Sequence, residues 1–375
     1  MPEASETVFR FADELGPAKV LHVYEPALDL RGIVVVDNAA AGPSIGGVRM
    51  APDVSLAECF RLARAMTLKN AAASLPHGGG KAVVFGDPAM PPDRKERLMR
   101  AFAVAIRDVT DYIAGPDMGT NETVMAWLHD EIGRSVGLPA EVGGIPLDEI
   151  GATGWGLTAA ARIACPVAGL ELKGARIAVQ GFGAVGKHAA RFLAAEGAVL
   201  VAASDSHGMV ADPDGLDVAA LIALKAEGRS VADLTAGRKG APDDIVDVDC
   251  DIWIPAARPD VIREDNAERF RARMILEGAN IPATEAAEEA LRARGVLVVP
   301  DFIANSGGVT CAAVEYAGGT EATAFQVIAE KIAANTRLVL EAAQAEGVSP
   351  RRAAVALAEK RVRAAMGYGR WAGAS

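Results

Sequence analysis

The chain has 375 residues, is 51% hydrophobic and 23% charged, and carries a formal net charge of -11. Such a length and apolar content fit two domains with large cores, and the acidic balance argues against a nucleic-acid or anionic-membrane partner. Cys59, Cys165, Cys250 and Cys311 and the five histidines are scattered without disulfide or metal-ligand spacing, so reduced thiols, a cytoplasmic setting and no metal site are expected. Residues 1–14 are acidic and lack the apolar core of a signal peptide, and no apolar run is long enough to span a bilayer.

Residues 19–24 and 32–37 are rich in Val and Ile and predict strands. Residues 42–49, Gly-Pro-Ser-Ile-Gly-Gly-Val-Arg, predict a glycine-punctuated loop. A capping-box pattern at Ser55 and Glu58 opens a helix, and its stripe of Leu56, Cys59, Phe60, Ala63 and Met66 predicts ordinary core packing. That helix delivers Lys69 near its end. Between Lys69 and Lys81 lie three consecutive glycines and no carboxylate. One reading is a pocket with two ammonium groups, one binding an anion and one doing chemistry; the other is a tight turn with two lysines reaching to solvent. Residues 82–85 predict a strand and 93–108 a helix. Residues 111–116 predict a short strand that ends at Asp117, either a loop cap or a reacting group, before a helix from about Asn121.

Residues 141–154 are glycine-rich, carry Pro146 and predict a domain boundary, with domains at 1–145 and 146–335 and returning helices at 336–375. Thr153 precedes a helix over 157–165 that Pro166 closes. An apolar strand over 175–180 then runs into Gly181-Phe182-Gly183-Ala184-Val185-Gly186, a helix over 188–196, a second strand over 198–203, and Asp205. Strand, three-glycine turn, helix, strand and acid in this order are the dinucleotide-binding fingerprint of a Rossmann domain. Gly181 makes the turn, Gly183 admits the pyrophosphate, Gly186 lets helix pack on strand, and the helix N-terminus faces the phosphates. Asp205 suits the ribose hydroxyls, which favours NAD, while NADP stays open. Strands at 252–254, 274–276 and 296–299 extend the sheet, and the loops after them bring Asn280 and Asn305 to its carboxyl edge. From residue 321 the chain is mostly helical, with a loose end from residue 367.

With these residues in hand, the chain resembles the glutamate/leucine/phenylalanine/valine dehydrogenase family, from about residue 32 to 316. The shared stretches are GPSIGGVRM, MTLKNAAASLPHGGGK, GPDMGTNETVMAW, ATGWG, VQGFGAVG, EGAN and PDFIANSGGV. The resemblance implies an α/β fold of two domains, an N-terminal substrate and oligomerisation domain and a Rossmann-type NAD(P) domain, in a homo-oligomer. It implies reversible oxidative deamination of an L-amino acid to a 2-oxo acid and ammonia. By motif, Lys69 binds the substrate α-carboxylate beside Gly46 and Gly47, Lys81 activates water, Asp117 shuttles protons, Thr153 helps hold the cofactor, and Asn280 and Asn305 line the nicotinamide side.

Substrate choice is read at two positions. Glutamate-specific members carry a lysine in GPxKGG and a serine seven residues after the asparagine of N(A/S)GG; this chain has Ile45 and Ala312 there. A carboxylate buried without its partners costs roughly 3–5 kcal/mol, or two to three orders of magnitude in affinity. The expected substrate is therefore leucine or valine, with phenylalanine also in range. The alternatives are glutamate dehydrogenase, because PDMGTNETVMAW, ATGWG and EGAN look glutamate-type, and a silent NAD-sensing or scaffold protein.

Overall fold

Residues 9–369 are described by the structure, a computed structural model; the loose end expected from residue 367 falls mostly outside them. The chain forms two compact units. Described residues within Met1–Pro146, Val309–Ala324 and Leu357–Ser375 make the first, and Leu147–Gly308 with Phe325–Ala356 the second. The sequence-based division at 335 and 336 differs from this, because the last helices change unit after Ala324 and again after Ala356.

The first unit holds strands β1 Lys19–Glu25, β2 Leu30–Asn38, β3 Ser44–Ala51, β4 Gly79–Phe85 and β5 Tyr112–Pro116. Their order is β1-β2-β4-β3-β5, with β3 parallel to both β4 and β5. Side chains alternate between the faces. Ile33, Val35 and Val83 pack with Cys59 and Ala63 of helix α1, Leu56–Ala72. Val34, Val36, Val48, Ala82 and Val84 pack oppositely, with Leu98, Met99 and Phe102 of α2, Pro92–Ala105, and Val124, Met125 and Leu128 of α3, Glu122–Ile132.

Strand β3 corrects the loop expected at residues 42–49. Its double glycine reflects crowding: a Cβ on Gly46 would sit 1.6 Å from the Gly80 carbonyl oxygen, and one on Gly47 2.7 Å from the Asp117 Cβ. Glycine in a strand marks such close approach.

The second unit opens with α4 Leu147–Ile150 and α5 Ala152–Val167, so Thr153 lies inside the first turn of a helix that begins earlier than expected. Strands β6 Arg176–Gln180, β7 Val199–Ser204, β8 Met209–Ala211, β9 Arg238–Gly240, β10 Ile252–Pro255, β11 Met274–Leu276 and β12 Leu297–Val299 form one sheet of order β12-β11-β10-β6-β7-β8-β9. It is parallel from β12 to β7, and β8 and β9 add an antiparallel edge that the sequence reading missed. Helices α6 Ala184–Ala195, α7 Val218–Ala226, α8 Glu285–Ala293 and α9 Asp301–Ala304 follow their strands. The chain order reverses between β6 and β10, the switch point where open α/β sheets bind ligands. Helices α10 Gly307–Tyr316, α11 Glu321–Glu346 and α12 Pro350–Met366 complete the chain.

Candidate active site and dinucleotide site

In the first unit one sheet face gathers several of the candidate residues. Alternation and register place Gly79, Lys81 and Val83 of β4 beside Ile45, Gly47 and Arg49 of β3, with Ile113 and Gly115 of β5 next in line. Glycine floors this face, and Lys81 rises from it with its side chain 5% exposed. Its Nζ makes direct ion-pair contact with Oδ2 of Asp117. Asp117 leaves β5 in a tight turn: its N–H donates to Thr120 Oγ1 at 2.9 Å, and Thr120 Oγ1 in turn donates to the Val48 carbonyl at 2.8 Å.

A residue absent from the sequence-based set completes the group. Arg49 Nε donates to Asp117 Oδ1 at 2.9 Å, and its Nη1 reaches Glu58 Oε1 at 2.6 Å. Glu58, Arg49, Asp117 and Lys81 thus form a chain of alternating charge. Burial opposes ionisation of Asp117, but Lys81 and Arg49 outweigh it and hold the carboxyl below its usual range. The capping box expected at the start of α1 is half realised: Ser55 Oγ accepts from the Glu58 N–H at 3.1 Å, and the Glu58 carboxylate goes to Arg49. The signal for Arg49 was its spacing, since Ile45, Gly47 and Arg49 share a face once residues 44–51 are a strand.

Lys69 sits half-buried in the last turn of α1, the helix that packs across β4. Next to it, Asn70 Nδ2 donates to the carbonyls of Gly78 at 2.7 Å and Ile45 at 3.2 Å. This side chain ties the two glycine-rich stretches together. Ile45 and Ala312 meet in one apolar cluster with Ala73, Leu75, Ile113 and Val136. The two positions at which substrate choice was read from the sequence are thereby brought to one place, and Gly46 and Gly47 lie beside it in β3.

In the second unit the fingerprint glycines have distinct surroundings. Gly181 has φ +91°, and a Cβ there would meet Ala256 and Ala257 within 2.8 Å. A Cβ on Gly186 would lie 2.0 Å from the Gly181 carbonyl oxygen. Around Gly183 nothing lies within 4 Å of the Cβ position; it is the residue before α6, whose first N–H groups have no partner within the helix. Open space at that glycine is what a pyrophosphate needs. A cavity of about 640 Å³ opens there, lined by Gly181, Phe182, Gly183, Asp205, Lys225 and Arg258 among others. Ala184 and Val185 form the first turn of α6, and Val185 packs under Gly278, where a Cβ would come within 3.2 Å of its Cγ1.

Asn280 and Asn305 also meet. Asn305 Nδ2 donates to Asn280 Oδ1 at 3.0 Å and to the Ala279 carbonyl at 3.2 Å. Gly307 and Gly308 lie against Ala152 and Thr153, a Cβ on Gly308 falling 3.3 Å from Thr153 Oγ1. Asp205 is itself heavily hydrogen-bonded within the unit. Its carboxylate accepts from the His207 N–H at 3.0 Å, Ser230 Oγ at 2.9 Å, the Val231 N–H at 3.0 Å and Lys225 Nζ at 2.8 Å. Burial works against ionisation, yet Lys225 and these donors lower the carboxyl to about 2. Among the described residues there is no cluster able to hold a metal ion and no helix long and apolar enough to cross a membrane.

Known proteins match most of the chain. Residues 21–134 match the family model Glu/Leu/Phe/Val dehydrogenase, dimerisation domain, and residues 143–369 match Glutamate/Leucine/Phenylalanine/Valine dehydrogenase. Glutamate dehydrogenase of Aeropyrum pernix is 38% identical over 357 residues, 89% of this chain and 85% of that protein. Glutamate dehydrogenase of Thermotoga maritima is 42% identical over 299 residues, 76% of this chain and 72% of that protein. The crystal structure of hetero-hexameric glutamate dehydrogenase from Thermus thermophilus, leucine-bound form, superposes with TM-score 0.84 at 30% identity, covering 96% of this chain and 91% of that one.

Proposed function

The chain belongs to the glutamate/leucine/phenylalanine/valine dehydrogenase family and is an amino-acid dehydrogenase using NAD(P); within it, we propose that the substrate is an L-amino acid with an apolar side chain, of the leucine or valine type and extending to phenylalanine. The product is the 2-oxo acid, with release of ammonia. The bound dinucleotide supplies the hydride acceptor. Lys69 holds the α-carboxylate. After hydride loss the substrate is an imine, and water must attack its carbon. Lys81 Nζ takes the proton of that water and exchanges it with Asp117 Oδ2, which it already touches. Arg49 keeps the other Asp117 oxygen occupied, so Oδ2 faces the lysine.

The observation carrying the side-chain reading is that Ile45 and Ala312, 3% and 5% exposed, pack in one apolar cluster, at the two positions where glutamate-specific members carry a lysine and a serine. Glutamate is the second reading, and the relatives' names support it better than they support leucine or valine. A deamination panel of leucine, valine, phenylalanine and glutamate, with each of NAD and NADP, separates the two. A lead for glutamate of tenfold or more, about 1.4 kcal/mol, retires the apolar reading.

Two further features follow the family. A homo-oligomer is supported by the dimerisation-domain match over residues 21–134, and light scattering after size exclusion measures it. The four cysteines are free, buried thiols, which fits a reducing cytoplasm.

A further inference from the structure

The fingerprint acid is the residue whose surroundings depart most from its expected use. An acid at the end of the second fingerprint strand reads NAD by accepting from the ribose hydroxyls. A carboxylate has about four acceptor sites. In Asp205 each oxygen already accepts two hydrogen bonds, Oδ1 from the His207 N–H and Ser230 Oγ, and Oδ2 from Lys225 Nζ and the Val231 N–H. The side chain is 8% exposed. Its partners come from the end of α7 and from residues 230–231, so Asp205 clamps those segments to the end of β7. Its charge is neutralised in place by the Lys225 ammonium.

The cavity rim around this clamp is correspondingly rich in donors. Ser206 and Lys225 line it. Lys225 remains 25% exposed, and its ammonium has three N–H groups to share. His207 follows Ser206 and is 77% exposed. Arg258 and Asp243 line the same cavity and pair with each other at 3.6 Å. A ribose 2′-hydroxyl looks for an acceptor, whereas a 2′-phosphate looks for several donors and a cation.

We infer that this end of the cavity is a 2′-phosphate subsite formed by Ser206, His207 and Lys225, and that the chain binds NADP(H) more tightly than NAD(H). The inference rests on the dinucleotide reading of the fingerprint and names the cofactor within it. Asp205 serves as a positioning residue that fixes the Lys225 ammonium, and not as the group that reads the ribose.

Calorimetric titration of the full chain, without substrate, tests this directly. The ligands are NADPH, NADH, adenosine 2′,5′-bisphosphate and AMP. NADPH is expected to bind at least tenfold tighter than NADH, and the bisphosphate tighter than AMP by a similar factor. Lys225→Gln should shift the NADPH-to-NADH ratio tenfold or more towards NADH, since it removes a cation and releases an oxygen of Asp205. Because that change could loosen α7, Ser206→Ala with His207→Ala provides a second variant on exposed positions, with an expected shift of two- to fivefold in the same direction. Tighter binding of NADH and AMP, or a ratio unmoved in both variants, overturns the subsite while leaving the dinucleotide reading intact. Binding of none of the four ligands overturns both.

Discussion

Two buried or half-buried ionic clusters, one in each unit, are built on different charge balances. In the first unit Glu58, Arg49, Asp117 and Lys81 alternate, two acids against two bases. In the second, Arg351 of α12 meets three carboxylates: Glu277 at 2.8 Å, Asp301 at 3.0 Å, and Glu288. Balanced charge keeps Asp117 ionised in spite of its burial. One guanidinium cannot do so for three acids. Burial, with the two neighbouring carboxylates, pushes the Glu277 carboxyl well up against the pull of Arg351, and Glu288 rises as well. A strongly perturbed acid often marks chemistry, but here the more perturbed one does structural work. Glu277 Oε2 accepts from the Asp301 N–H at 2.8 Å, and Asp301 Oδ2 accepts from the Ile281 N–H at 2.7 Å. The cluster pins the two loops that carry Asn280 and Asn305. Rate in one cluster and stability in the other are the contrasting outputs to measure.

The largest effect is expected at Lys81. Lys81→Ala should lower turnover by about 10²- to 10⁴-fold, the usual reach of a general acid–base group, while dinucleotide affinity stays within a few-fold; unchanged turnover would remove the lysine from the mechanism. Arg351→Met should act in the opposite sense, costing about 3–5 kcal/mol of stability by stranding buried carboxylates. Thermal and denaturant melts read it, and a variant as stable as the parent would show that the cluster is held by other means. The kcat of the surviving folded enzyme should change much less.

Next in size is Arg49→Ala, with a rate loss of about ten- to a hundredfold. Arg49 helps depress the Asp117 carboxyl, so its removal raises that carboxyl. The acid limb of the rate profile should then move to higher pH, because protonation of Asp117 sets in earlier as pH falls. A limb that stays put would make Arg49 a packing residue. The smallest effect concerns Glu277. Its carboxyl is raised from an ordinary 4.5, so the stability it lends is complete below about pH 4.5 and is lost as pH climbs towards the raised value. Glu277→Gln lacks that loss, and its melting temperature relative to the parent should rise steadily from about pH 4.5 upward. Parallel curves would contradict the raised carboxyl.

The fingerprint was legible in the sequence because its signal is local: spacing over six residues and a strand on each side determine where Gly181, Gly183 and Gly186 sit. Lys81 and Asp117 were legible through motif resemblance, and the contact between them came from the pairing of β3 with both β4 and β5. Residues 42–49 misled because glycine pairs usually punctuate loops, whereas Gly46 and Gly47 answer to backbones pressing on a strand. Arg49 went unnoticed for the same reason, since a loop assignment hides the face it shares with Ile45. Arg351 and Lys225 were beyond reach. Their partners lie 74 and 20 residues away along the chain, and no periodicity links an arginine in a late helix to an acid at a strand end.

The absent side chain at Gly47 has a practical consequence for re-engineering. Asp117 occupies the volume that any β-carbon at position 47 would claim, so even alanine there would dislodge the acid from its two bases. Laboratory evolution towards new amino acids would therefore be confined to Ile45 at the start of this strand and Ala312 of helix α10 in the same apolar cluster, while the double glycine tolerates no added side chain.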